Sequence, residues 1–156
     1  MSSQDRSPHA LLVDEQTFAL VVELEIRKAV RLGYPVSVVA VLPDPAGGGE
    51  IPDPGSLADQ VARAIGRVIR GTDLLGLRAA SSSVRVLLVG AALEHLHGVI
   101  QRITEEVTRY RFRINGDRTA VTLSVGSAGF PATVGTSQDL LSQAETRARE
   151  ARRAQA

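Results

Sequence analysis

Apolar residues recur at steps of four from Phe18 through Val22 and Ile26 to Val30, while Glu23, Arg27 and Arg31 form a charged series at the same step. An apolar stripe beside a charged one predicts an amphipathic helix over 11–32, with i,i+4 ion pairs on its wet face. Gly33 is placed to stop it. The pattern then changes. Pro35 to Leu42 is an almost unbroken β-branched run, too short for a helix and typical of a central strand covered on both faces. Pro43 to Gly55 holds four prolines and four glycines and reads as the longest loop. Ser56, with Asp59 three positions on, is placed to cap a second helix whose inward face is Leu57, Val61, Ile65 and Val68, ending at Gly71.

Two short strands, 73–78 and 84–89, are predicted as a hairpin across 79–83. Leu96, Ile100, Ile103 and Val107 mark the inward face of a third helix over 93–109. Strands at 111–114 and 120–125 are expected to pair across Asn115-Gly116-Asp117, a strong turn signal. Thr136 or Ser137 caps a last helix, with Leu140, Leu141, Ala144, Ala148 and Ala151 inward. Alternating helices and tight hairpins predict an α/β (α+β) fold, a central mixed and mostly antiparallel sheet flanked by helices. A flexible start over 1–10 and one domain over 11–156 complete the expected organisation.

Composition narrows the function classes. The chain of 156 residues is 44% hydrophobic and 22% charged, which suits a globular domain able to bury a real core. It has no cysteine, so disulfides and thiolate metal sites are excluded. A formal net charge of +1 exerts no global pull on nucleic acid or an anionic membrane. Three Phe and two Tyr leave no stacking platform for single strands. No apolar run is long enough to span a bilayer and the polar first nine residues lack a secretory core, so a cytoplasmic protein is expected.

Several motifs have ordinary readings. His95 and His97 stand two apart on a helix and point to different faces, as surface histidines do. Gly47-Gly48-Gly49 lacks the downstream Gly-Lys-Ser/Thr of a phosphate loop. Ser81-Ser82-Ser83 has no His-acid relay to activate a hydroxyl. Arg109, Arg111, Arg113 and Arg118 read as a charged, solvated strand edge, with an anionic partner as the weaker alternative.

In this order the local sequences resemble the GGDEF family, the diguanylate cyclases that join two GTP molecules into cyclic di-GMP. Glu25 to Ser37 (EIRKAVRLGYPVS) is similar to the family's E-x-x-R-A-x-R-x-G-x-P-L-S helix and strand entry. Arg70-Gly-Thr-Asp73-Leu-Leu resembles its R-x-x-D-L segment, Leu123 to Ala128 (LSVGSA) its S-I-G-V-A strand, and Leu140 to Arg152 its closing L-L-x-x-A-D-x-A-L-Y-x-A-K helix. The resemblance spans roughly 18–153 and implies a nucleotide-cyclase palm-like fold in a bacterial signalling protein.

The departures fall on the residues that the family uses for chemistry. Its first strand ends in D-x-D; here Leu42 takes the place of the metal-holding Asp and only Asp44 remains. The GGDEF signature falls on Ala80, Ser81, Ser82, Ser83 and Val84, with no acid and neither glycine. Neutral hydroxyls cannot balance Mg²⁺ beside a triphosphate, so the resemblance implies a non-catalytic, degenerate domain, with no metal and no cofactor. Arg152 stands where the family has a phosphate-contacting Lys. Arg70 and Asp73 match the family's R-x-x-D site for cyclic di-GMP, where a planar guanidinium suits phosphate or a guanine edge. The first expectation is a protein-interaction module, alone or as a homodimer. The second is a cyclic di-GMP receptor through Arg70 and Asp73, and an active cyclase is third.

Overall fold

The computed structural model describes residues 11–46, 54–78, 82–114, 116–132 and 135–155. The expected flexible start (1–10), most of the Pro/Gly-rich loop (47–53) and the hairpin turn (79–81) lie outside them. Five strands form the main sheet in the order β1-β3-β4-β2-β7. They are β1 (Leu11–Asp14), β2 (Val36–Pro45), β3 (Leu74–Arg78), β4 (Ser83–Val89) and β7 (Val121–Phe130). β1 runs parallel to β3 and every other pairing is antiparallel, the mixed sheet that the alternation of elements implied. β5 (Phe112–Ile114) and β6 (Asp117–Thr119) make a separate two-stranded ribbon.

Four helices among the described residues cover the sheet: α1 (Glu15–Leu32), α2 (Pro54–Gly66), α3 (Leu93–Arg109) and α4 (Ser137–Gln155). The central strand β2 divides the core by its period of two. Val39 and Val41 face a cluster with Leu57, Val61 and Ile65 of α2 and Leu96, Ile103 and Val107 of α3. Val36, Val38, Ala40 and Leu42 face the other cluster, with Phe18, Val22 and Ile26 of α1 and Leu140, Ala144 and Ala148 of α4. A strand buried on both faces is apolar along nearly all its length, which is why the β-branched run was legible.

Several boundaries differ from the pattern reading. Residues 11–14 are a strand, and the helix starts at Glu15, where the Asp14 carboxylate accepts the Thr17 backbone N–H at 2.7 Å. Pairing of Leu11 to Asp14 with Leu74 to Leu77 supplies backbone partners that no local pattern reveals. Ala29 takes the buried place predicted for Val30, which is exposed, because the small residue faces the sheet. Gly33 does stop α1, at φ 76°. β2 continues through Pro43 to Pro45, since β7 keeps pairing with it as far as Val121. α2 begins at Pro54, so Ser56 lies in its first turn rather than at its cap, and it ends at Gly66 with Val68 beyond it. Ile100 is partly buried against the α2 and α3 cluster. β5 pairs with β6, while the stretch expected to be its partner joins the main sheet as β7. At α4 the Thr136 hydroxyl accepts the Asp139 N–H at 3.1 Å, and Glu145 joins Leu140, Ala144 and Ala148 as a buried residue.

Candidate functional site

Two places in this fold hold the residues singled out from sequence. The first is the end of β2 beside the β3–β4 hairpin. Val41 pairs with Val84, and the same register carried one residue further sets Leu42 opposite Ser83. The fold thus brings together the positions expected to carry acids, with uncharged side chains on them. Leu42 is buried in the α1 and α4 cluster. Ser82 is buried at φ 58°, and its hydroxyl has no hydrogen-bond partner. Val84 packs with the α2 and α3 cluster, while Ala80 and Ser81 lie outside the described residues.

Asp44 and Arg152, 108 residues apart, meet there: Arg152 Nε donates to Asp44 Oδ2 at 2.9 Å. The carboxylate and the cation expected at nucleotide-site positions therefore satisfy each other. Among the described residues no group of three or more His, Asp or Glu side chains is placed to hold a metal ion. Mg²⁺ takes hard oxygen ligands in near-octahedral array. A buried leucine, two serines and one neutralised aspartate do not fit it.

The second place is a cleft of about 580 Å³ between the α2–β3 connection, the end of β4 and the first turns of α3. Arg70 and Asp73 form a compact turn in its wall. The Asp73 carboxylate accepts the Arg70 backbone N–H at 3.0 Å, and the Asp73 N–H donates to the Arg70 carbonyl at 3.0 Å. The Arg70 guanidinium lies 3.6 Å from Asp73 Oδ2 and donates to the Val89 carbonyl at 2.9 Å. Asp73 is 3% exposed and its second oxygen has no partner, a costly arrangement for a buried acceptor. Arg70 itself is exposed, so its outer face is open to an anion. Glu94, His95, Gly98 and Arg102 of α3 complete the lining. The sequence reading missed Glu94, Gly98 and Arg102, and set His95 aside as a surface histidine. Their signal was spacing: His95, Gly98 and Arg102 fall three and seven apart, on one helix face.

A third cluster was also missed. Arg78 and Arg85 of the hairpin and Arg149 of α4 surround Glu145, each 3.5 Å from it, and Arg78 reaches Glu15 at 2.9 Å. These charges join the hairpin base to α4 and to the start of α1.

Residues 56–156 match the sequence profile of the diguanylate cyclase, GGDEF domain family. The chain belongs to the GGDEF family. The match begins inside α2, so β2, where the expected departure at Leu42 falls, precedes it. A comparison with curated protein sequences gives no match. Among solved structures, the GGDEF domain of YfiN (TpbB) from Pseudomonas aeruginosa is 20% identical, with a TM-score of 0.76 over 92% of this chain and 91% of that one. Diguanylate cyclase SiaD from the same organism, solved with its activator SiaC, is 19% identical, with a TM-score of 0.71 over 90% of this chain and 55% of that one. DgcB from Caulobacter crescentus, its coiled coil and GGDEF domain solved with c-di-GMP, is 15% identical, with a TM-score of 0.71 over 90% of this chain and 76% of that one. At these identities the likeness is one of fold. Among the described residues no helix is long and apolar enough to cross a membrane.

Proposed function

We propose that this GGDEF domain works in cyclic di-GMP signalling without catalysis, binding cyclic di-GMP in the cleft beside Arg70 and Asp73 and passing the signal on through protein contacts. The observation that carries the reading is the contrast between its two sites. At the end of β2 the charges cancel, with Asp44 held by Arg152 and Leu42 buried in the apolar cluster under α1 and α4. In the cleft an exposed guanidinium is held by a backbone carbonyl beside a buried carboxylate with an unused acceptor. A phosphodiester on Arg70 and the N–H edge of a guanine on Asp73 would use both groups. That DgcB was solved with c-di-GMP adds support from a protein of similar fold.

The test is calorimetric titration of the purified chain with cyclic di-GMP, and separately with GTP and Mg²⁺. Micromolar binding of cyclic di-GMP is expected, lost on Arg70→Ala, with no metal-dependent turnover of GTP. Conversion of GTP to cyclic di-GMP would overturn the non-catalytic reading. A second reading, an interaction module that uses no ligand, is favoured by the outer face of α1, where Leu20 and Leu24 are 66% and 55% exposed. Silence towards both nucleotides would leave that reading in place of the first.

A further inference from the structure

The α3 wall of the cleft has features that packing does not require. Gly98 lies in the interior of α3, where glycine is destabilising relative to alanine. A Cβ built on it would meet nothing within 4 Å, so no neighbour demands its small size. The glycine keeps the wall open between His95, one turn before it, and Arg102, one turn after it, on the same helix face. A ring of a ligand laid against Gly98 would have an imidazole at one side and a guanidinium at the other.

Charge in the cleft points to the same residue. Arg70 and Arg102 bring two positive charges, and Asp73 and Glu94 bring two negative ones. These four balance, so the protonation state of His95 sets the sign of the cleft. Ala92, the cap of α3, makes no side-chain hydrogen bond to the helix start, which leaves the positive end of the helix beside His95 available to an anion. Resting on the cyclic di-GMP reading above, we infer that His95 is a ligand-binding residue whose imidazolium contacts a phosphate of the bound dinucleotide, so that binding takes up a proton. Histidine changes charge between roughly pH 5 and 8, whereas a phosphodiester stays anionic there. Affinity therefore rises as pH falls through that window. His97 does not line the cleft and has no part in this.

The experiment is titration of the whole chain with cyclic di-GMP at about pH 5.5 and about pH 8, for the wild type, His95→Gln and His97→Gln. A tightening of about tenfold at the lower pH is expected in the wild type, the effect of one added charge-assisted contact. His95→Gln should bind with the same weak affinity at both values, and His97→Gln should follow the wild type. His95 is exposed, and an unchanged thermal melt would establish that the variant still folds. A flat profile in the wild type, or a tenfold change that survives His95→Gln, would overturn the role of His95 and leave the ligand reading intact. Absence of binding by the wild type at both values would overturn the ligand reading itself, and this inference with it.

Discussion

Two glycines of this chain have opposite reasons to be glycine. A Cβ on Gly126 of β7 would collide with the Ala148 backbone nitrogen and the Ala144 carbonyl oxygen. The closeness of α4 to the sheet depends on that absence, and α4 carries Arg152 to Asp44 at 2.9 Å. Gly126→Ala must push a helix backbone aside, so a loss of about 1–3 kcal/mol is expected, the usual range for an overpacked core. Gly98→Ala meets open space and should instead raise stability by up to about 1 kcal/mol. Urea midpoints of the two variants would check both signs, and a neutral Gly126→Ala would mean that α4 is not held where the contacts place it. At this scale the sequence told which residues had changed but not what the changes accomplish. Leu42 was read as standing in the place of an acid. The pairing of Asp44 with Arg152 was not legible, because no local pattern links positions 108 residues apart.

Elements were legible where a single periodicity decided them. β2 declared itself because a strand covered on both faces is apolar along nearly all its length, and its one buried hydroxyl, on Ser37, donates to the Ala91 carbonyl. β1 did not, because Leu11-Leu-Val-Asp14 reads as the first turn of the helix that follows, and only pairing with β3 makes it a strand. The β5–β6 ribbon was misjoined for a similar reason: Ile114 does pair with Asp117 across a tight reversal, but the strand that begins there is short and β7 starts anew at Val121. The connection from α1 to β2 is fastened by a hydrogen bond from the Tyr34 hydroxyl to Glu25, itself paired with Lys28 at 3.1 Å. That bond, then burial and the charge of Glu25, pushes the phenol from 10.0 up to about 12. A group whose value is raised on folding stabilises the fold below its unfolded value and loses that contribution as pH rises through the folded one. The contribution of Tyr34 is therefore intact below pH 10.0 and lost between there and about 12. Tyr34→Phe should lower the urea midpoint at about pH 8 and remove this part of the alkaline decline. Equal midpoints for variant and wild type across the whole range would show that the bond contributes nothing.

Across the whole molecule, one charged cluster ties segments that are distant along the chain. Glu15 opens α1, Arg78 and Arg85 stand at the base of the hairpin, and Glu145 and Arg149 lie on α4. Glu145 is 8% exposed and receives three guanidinium groups, of which Arg85 is 12% exposed while Arg78 and Arg149 reach water. Such a cluster is weak evidence of net stability, because desolvating the charges offsets much of their attraction. Removing one member is another matter. Glu145→Ala leaves the largely buried Arg85 with only the half-exposed Glu15, 3.8 Å away, and breaking a buried pair from one side costs about 3–5 kcal/mol. Arg78 and Arg149 can turn to solvent, which places the expected loss near the lower end, about 3 kcal/mol. The double variant Arg85→Met with Glu145→Leu removes both buried charges at similar volume and should recover most of that loss. Urea denaturation of the two variants decides between a cluster that stabilises and one that only specifies where the hairpin sits against α4. A double variant as unstable as Glu145→Ala would mean that the ions themselves hold the hairpin, α1 and α4 together, and full recovery would mean that their gain is in register alone.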